Sequence, residues 1–328
     1  MQSTLREKLN VIHDISRNHR PTVIGHRGSL YTSLENTSRS FIEAAQQGAD
    51  GIELDVFLLK CGTLVVFHGT GSDQSPGLLE SYCGVGGSIL DYTAEEARNL
   101  LTFDKHSDQF GCGADLITDS NHVDHYCYVH TLEEVLLSLR DHPDVKEDFA
   151  IKIELKGPGT ALPSVELVQK HNMMHQCHFS SFDHSRIVEV KSLVPDAITG
   201  ALWSDLPDNF VERSLQAKAN EIHFRYDTCT KQNIEAAHKA GLDTMAWFCG
   251  PKAMGEAKYD DVGNEDINMY KTVLNSGVMS LCANRPTIAM EAALTQVARL
   301  VSDDEEEMVS VSSNEGVDQI NQEYLLLP

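Results

Sequence analysis

The fold turns on the stretch Gly51-Ile52-Glu53-Leu54-Asp55-Val56-Phe57-Leu58-Leu59. Read as a β-strand, its side chains alternate, so Ile52, Leu54 and Val56 share one face and Glu53 and Asp55 the other. A barrel strand buries both faces, one under helices and one toward the axis. Two carboxylates two residues apart on an axial face repel each other unless a cation sits between them. Hard oxygen donors suit Mg²⁺ or Ca²⁺. A solvated edge strand would carry the same alternation, but the continuous apolar flank speaks against it.

Ala150-Ile151-Lys152-Ile153-Glu154-Leu155-Lys156-Gly157 repeats the pattern. Ile151, Ile153 and Leu155 share one face; Lys152, Glu154 and Lys156 share the other. An inward Glu154 is a third candidate metal ligand, and Lys156, one layer higher, could meet an anion. Taken alone, this stretch is equally well explained by lysines snorkelling from an edge strand.

Outward from these two stretches the pattern is regular. Strand-like runs fall near 22–25, 51–58, 63–67, 149–155, 177–180, 197–202, 220–224, 243–248 and 278–282. Helix-like stretches lie at 36–47, 131–140, 162–171, 183–192, 208–217, 230–240, 266–275 and 286–299. Strands alternating with helices imply βαβ units and a parallel sheet. About eight such units fit a closed (β/α)₈ barrel. The fold expected is α/β: a TIM barrel over 20–300, with an inserted subdomain after the third strand at 69–130. That insertion is rich in Gly, Ser, Asp and His, with one helix candidate near 93–101. Residues 301–328 hold eight acids and no Lys or Arg, and read as an acidic, solvated tail.

Chemistry-bearing residues cluster at strand ends, where barrel enzymes keep their sites. His26 ends the first strand in VIGHRG (23–28), and Arg27 beside it offers a fork suited to phosphate oxygens. His68 ends TLVVFH (63–68). Two imidazoles across a site can act as acid and base in one displacement. Glu35-Asn36-Thr37 leads into an amphipathic helix. Asn36 or Thr37 can cap that helix, and Glu35 or Asn36 can instead face metal or substrate.

Composition limits the partners. The chain has 328 residues, 26 basic and 49 acidic, a net charge of −23 that argues against nucleic acid or an anionic membrane. No apolar run reaches the ~18–20 residues of a membrane span, so stable membrane insertion is not expected. The first twenty residues carry Arg6, Glu7, Lys8, Asp14, Arg17 and Arg20, which is unlike a signal peptide. Eight scattered cysteines without a CxxC pair suggest unpaired thiols in a reducing compartment, hence a cytoplasmic protein.

Together the motifs resemble the glycerophosphodiester phosphodiesterase family. They are HRG (26–28), ENT (35–37), GADGIELDV (48–56), VVFH (65–68), YVHTLEEVL (128–136), IELK (153–156) and SSF (180–182). Trp247-Phe248 and CANRP (282–286) follow near the end. The resemblance implies a TIM barrel, one divalent cation, and hydrolysis of a small glycerophosphodiester to sn-glycerol 3-phosphate and an alcohol. By motif position it makes Glu53, Asp55 and Glu154 metal ligands and His26 and His68 the acid–base pair. Arg27, Lys156 and Trp247 become substrate and phosphate binders, with Glu35 and Asn36 accessory. The chain departs from the family where Gly69, not Asp, follows His68, where a Leu-x-Arg-Thr-Thr stretch is missing, and where Asn284 replaces an Asp. These positions bear on the leaving group more than on the chemistry. A lysophospholipase D-like enzyme or a cyclising phospholipase D-like enzyme would use the same barrel. An inactive barrel serving as a binding module is disfavoured, since no histidine or ligand position is lost.

Overall fold

The computed structural model describes residues 20–72, 75–79, 86–99, 128–249 and 265–296. Strand β1 (Thr22–Gly25) passes through a turn to helix α1 (Ser38–Gln46), and β2 (Gly51–Leu58) follows. The chain then reverses into β3 (Leu64–Val66). A two-stranded ribbon comes next, β4 (Thr70–Ser72) with β5 (Ser75–Leu78), then a single 3₁₀ turn (Ile89–Asp91) and the short α2 (Ala94–Arg98). Regular alternation resumes with α3 (Leu132–Arg140), β6 (Ala150–Leu155), α4 (Ala161–Lys170), β7 (Cys177–Ser181), α5 (His184–Leu193) and β8 (Thr199–Trp203). It continues through α6 (Phe210–Gln216), β9 (Glu221–Arg225), α7 (Lys231–Lys239), β10 (Asp243–Trp247), α8 (Ile267–Leu274) and β11 (Ser280–Ala283). A last helix, α9, begins at 286. Pro21–Ala293 form one compact unit.

Eight strands close into a parallel barrel in the order β1-β2-β6-β7-β8-β9-β10-β11, with β11 returning to pair β1. Each predicted strand run lies on an observed strand, but the run at 63–67 has a different place from its neighbours. Its strand, β3, pairs antiparallel with β2 (Val56 opposite Val66, Leu58 opposite Leu64) and stands outside the ring of eight. The insertion therefore does follow the third strand in the chain, and that strand is a return from the rim. Much of 69–130, and all of the tail 301–328, lies outside the described residues.

The alternation of β2 dictates what faces where. Ile52, Leu54 and Val56 are fully buried among Phe41 of α1, Val135 of α3 and Ile151 and Ile153 of β6. Burying each such side chain is worth about 1.5–3 kcal/mol. A one-residue slip would exchange these three for Glu53 and Asp55, so the pattern fixes the register. A second cluster gathers Ile222 and Phe224 of β9 with Phe248, Tyr270 and Leu281 on the other side. Above Asp55 along β2, Phe57 packs with Leu34, Phe67, Leu79 and Ile89, an apolar layer beside the strand end.

Helix starts follow local chemistry. At α3, Thr131 Oγ1 accepts from the amide of Glu134 at 3.2 Å, and Glu134 Oε2 accepts from the amide of Thr131 at 2.9 Å. That is a capping box, and it explains the threonine-leucine-acid-acid start. At α1 the cap is Thr37, whose hydroxyl accepts from Ser40, which leaves Asn36 for another task.

Lower in the barrel, Lys152 of β6 donates to both carboxylate oxygens of Glu221 on β9, at 2.7 and 2.5 Å. His178 and His223 hold the same carboxylate at 2.9 and 2.7 Å. The inward lysine of the 150–157 stretch is thus paired inside the barrel, not snorkelling.

Candidate active site

The barrel brings Glu53, Asp55 and Glu154 to one point. Each offers a carboxylate oxygen, and these atoms lie within 4.8 Å of one another. Glu53 and Asp55 come from the axial face of β2 and Glu154 from that of β6, where Asp55 and Glu154 are register partners. Crowding and burial have the expected effect. Glu53 is pushed well above the usual carboxylate range by burial, then by the charges of Asp55 and Glu154. Burial also raises Glu154, although Lys156 beside it pulls the other way.

Arg27 and Lys156 flank the carboxylates. Arg27 Nη1 grips both oxygens of Glu35 at 3.2 and 3.1 Å. Its Nε lies 3.5 Å from Asp55 Oδ2, and its amide donates to Glu53 Oε2 at 3.1 Å. Lys156 Nζ lies 3.5 Å from Asp55 Oδ1 and 3.4 Å from Glu154 Oε1. Burial works against the Lys156 charge, yet Glu154 and Asp55 outweigh it and raise its pKa.

The backbone is strained to reach this arrangement. Arg27 and Asn36 both sit in the left-handed region, at φ 52° and 57°. That conformation costs a non-glycine residue about 1–3 kcal/mol and concentrates at functional sites. Gly28 follows at φ 95°, and a Cβ there would meet Ser40 Oγ at 2.3 Å, so only glycine carries the chain past α1. The strained loop is tied by the Asn36 amide donating to the Arg27 carbonyl at 3.0 Å. Asn36 thereby faces Asp55, to which its Nδ2 donates at 2.8 Å.

The two histidines arrive by different routes. His26 ends β1, its Nε2 3.9 Å from Glu53 Oε2 and its Nδ1 2.6 Å from Asn284 Oδ1. Burial, then the Arg27 charge, lowers its pKa to about 3. His68 reaches the same mouth because β3 descends from the rim: the amide of Phe67 donates to the Asp55 carbonyl at 3.0 Å, and His68 comes next. Burial, followed by Arg27, Lys156 and His26, pushes His68 well below the ordinary histidine value. Trp247, half-buried at the end of β10, meets the exposed Phe182 edge-to-face at 5.6 Å and donates from Nε1 to the Trp203 carbonyl at 3.3 Å.

All ten residues singled out from the sequence therefore face the C-terminal end of the barrel. Two others emerge only in three dimensions. Asn284 binds His26, and the buried Glu265 accepts from Asn284 Nδ2. Asn284 was visible in the sequence only as a departure from a motif, with a bearing on the leaving group, whereas its contact is with His26; Glu265 carried no signal.

The carboxylate set passes the test for a cation. Asp55 Oδ1 is buried with no hydrogen-bond partner. Four carboxylates, Glu35, Glu53, Asp55 and Glu154, face two cationic side chains, Arg27 and Lys156. The donors are all hard oxygens, and a divalent ion among them would relieve the crowding that raises Glu53 and Glu154.

A parallel (β/α)₈ ring with an acidic cluster and basic groups at its C-terminal mouth has the make-up of a barrel enzyme. The family can be stated more narrowly: this chain belongs to the glycerophosphoryl diester phosphodiesterase family, a family of hydrolases, whose family model matches residues 26–286. It is 28% identical over 264 residues to the glycerophosphodiester phosphodiesterase of Caldanaerobacter subterraneus subsp. tengcongensis, covering 78% of this chain and 98% of that one. To the glycerophosphodiester phosphodiesterase of Bacillus altitudinis it is 30% identical over 224 residues, 66% of this chain and 81% of that one. Among solved structures, an Oleispira antarctica phosphodiesterase in complex with the product sn-glycerol-3-phosphate shares the fold at TM-score 0.63 and 22% identity, over 84% and 98% of the two chains. The glycerophosphodiester phosphodiesterase of Agrobacterium tumefaciens does so at TM-score 0.60 and 22% identity, over 84% and 99%. Among the described residues, no helix is long and apolar enough to cross a membrane.

Proposed function

We propose that this protein hydrolyses small glycerophosphodiesters to sn-glycerol 3-phosphate and an alcohol, with His26 and His68 as acid and base. Glu53, Asp55 and Glu154 would hold one divalent cation, of Mg²⁺ or Ca²⁺ type. The observation that carries the reading is the convergence of those carboxylates, from two neighbouring strands, with Arg27 and Lys156 directly beside them.

When bound, the cation supplies Lewis-acid stabilisation of charge developing on the phosphoryl oxygens. The side chains do the rest. Arg27, held as a fork by Glu35, and Lys156 bind the remaining phosphoryl oxygens and orient the diester. One imidazole removes the proton of the nucleophile and the other protonates the departing alkoxide, which is strongly basic at neutral pH. The lowered pKa values leave both rings neutral before the diester binds, which suits the acceptor and has to be reversed in the donor. An anionic diester seated on Arg27 and Lys156 would offset the two charges that depress His68 most after burial, and so help it carry a proton. Trp247 and Phe182 offer an aromatic wall to the leaving group. Cytoplasmic location remains the expectation from composition.

The deciding experiment is phosphodiester turnover with choline, ethanolamine and inositol headgroups and with a lysophospholipid, each with and without chelator. Turnover of glycerophosphodiesters that chelation abolishes is expected. No turnover of any of them with added Mg²⁺ or Ca²⁺ would defeat the reading.

A further inference from the structure

Asn284, at the end of β11, sits where its two ends do different work. Its Nδ2 donates to the Cys249 carbonyl at 2.6 Å and to Glu265 Oε1. An amide nitrogen has two hydrogens, so both are engaged. Turning the amide over would press its oxygen against the Cys249 carbonyl, which has no proton, and against Glu265, whose pKa burial raises to about 6 and which is therefore mostly an ionised acceptor at neutral pH. Its Oδ1 therefore faces His26 Nδ1 at 2.6 Å and can only accept. The Nδ1 must carry the hydrogen, and in the neutral ring the lone pair then belongs to Nε2. That nitrogen is the one turned toward Glu53 and the carboxylate cluster.

We propose that Asn284, held by Glu265 and the Cys249 carbonyl, is a positioning residue that fixes His26 as the Nδ1–H tautomer and so makes His26 the proton acceptor of the first step. The assignment rests on the phosphodiesterase reading and deepens it. His26 Nε2 takes the proton of the attacking hydroxyl, from water or from the substrate's own 2-hydroxyl, as that oxygen bonds to phosphorus. The P–O bond to the leaving alcohol breaks, and His68 supplies the proton that oxygen needs. With water as nucleophile, the proton gained by His26 returns to His68 through solvent. With the 2-hydroxyl, a cyclic phosphate forms first. His68 then deprotonates water, which opens the ring, while His26 returns its proton to the 2-oxygen. Either way both rings end as they began. His26, Cys249, Glu265 and Asn284 are all buried residues, so bulk solvent has little access to these contacts.

In serine proteases, loss of the group that sets the imidazole tautomer costs about 10⁴-fold in kcat. Asn284→Leu should accordingly lower kcat by about 10²- to 10⁴-fold while KM moves little. Asn284→Asp combined with Glu265→Gln keeps an acceptor for Nδ1 and gives the second aspartate oxygen a donor, so this double variant should recover part of that loss. The independent readout is ring ¹⁵N NMR of the full-length, histidine-labelled protein at neutral pH, with the His26 signals identified by their loss in His26→Gln. Wild type should show His26 protonated at Nδ1, and Asn284→Leu should show the other tautomer or a mixture. A wild-type ring protonated at Nε2 overturns the proposal, and so does an Asn284→Leu protein with unchanged tautomer and kcat. Should Asn284→Leu not fold, the wild-type spectrum and the Asn284→Asp, Glu265→Gln double variant still decide. A wild-type protein that turns over no phosphodiester would sink the functional reading while leaving the tautomer measurement standing.

Discussion

Asn36 and Asp55 clasp each other. Asn36 Nδ2 donates to Asp55 Oδ2 at 2.8 Å, and the Asp55 amide donates back to Asn36 Oδ1 at 3.3 Å. The clasp satisfies one carboxylate oxygen and leaves Oδ1 turned toward Lys156 and the cluster. Removing groups that orient ligating carboxylates typically costs about 10–100-fold in metal affinity. Asn36→Gly keeps the left-handed backbone easy and removes only the amide. It should weaken Mg²⁺ or Ca²⁺ binding by that factor in calorimetric titration; unchanged affinity would show that Asp55 needs no such support.

Glu53→Gln removes a charge from the cluster and nearly preserves its shape. Cation binding should fall sharply, and activity should no longer be restored by adding metal after chelation. Full turnover by Glu53→Gln in excess chelator would exclude a metal-dependent site.

His26→Ala and His68→Ala should each reduce kcat by about 10²–10⁴-fold with substrate binding largely kept. The wild-type pH–rate profile should be bell-shaped, and each variant should lose one limb. If both variants kept near wild-type kcat on every glycerophosphodiester, the acid–base assignment would be wrong.

His130 supplies a pH effect on stability. Burial lowers its pKa to about 4, from an ordinary value near 6.5. Between these values the unfolded chain binds the proton that the folded ring refuses. The contribution is therefore intact above pH ~6.5 and is lost as pH falls toward ~4, reaching about 3 kcal/mol there. In urea titrations His130→Phe, which keeps the stack on Tyr128, should be less acid-sensitive than wild type over that window. Parallel curves would show that His130 does not report this burial.

Gly200 leaves room for the buried ion cluster. A Cβ there would lie 2.4 Å from the His223 ring, which Glu221 holds at 2.7 Å. Gly200→Ala should destabilise the protein by about 1–3 kcal/mol, the usual cost of overpacking, measured by urea denaturation. A neutral effect would mean the ring can move without losing Glu221.

The ring of strands was legible because alternation of apolar and polar residues is a local signal. Glu53, Asp55 and Glu154 could be placed on the axis from their own neighbours along the chain. Direction was not legible in the same way. β3 has the apolar run of a barrel strand, and only its pairing with Val56 and Leu58 shows that it runs backward. Asn284 and Glu265 were hidden for another reason. Asn284 touches His26 across 258 positions of sequence, and no periodicity links residues so distant. Lys152 showed the same limit, since its partner Glu221 lies on a strand 69 positions away.

The backward strand also affects how such an enzyme can diversify. His68 follows β3, which among the described residues pairs with the ring at β2, and Val65, Phe67, Leu79, Ile89 and Ala97 pack with Phe57 and Leu34 in one apolar layer. A change in that layer leaves the strand pairing of the eight-stranded ring untouched. On the proposed reading it would nonetheless reach one member of the histidine pair, so the rim and the acid–base chemistry would vary together.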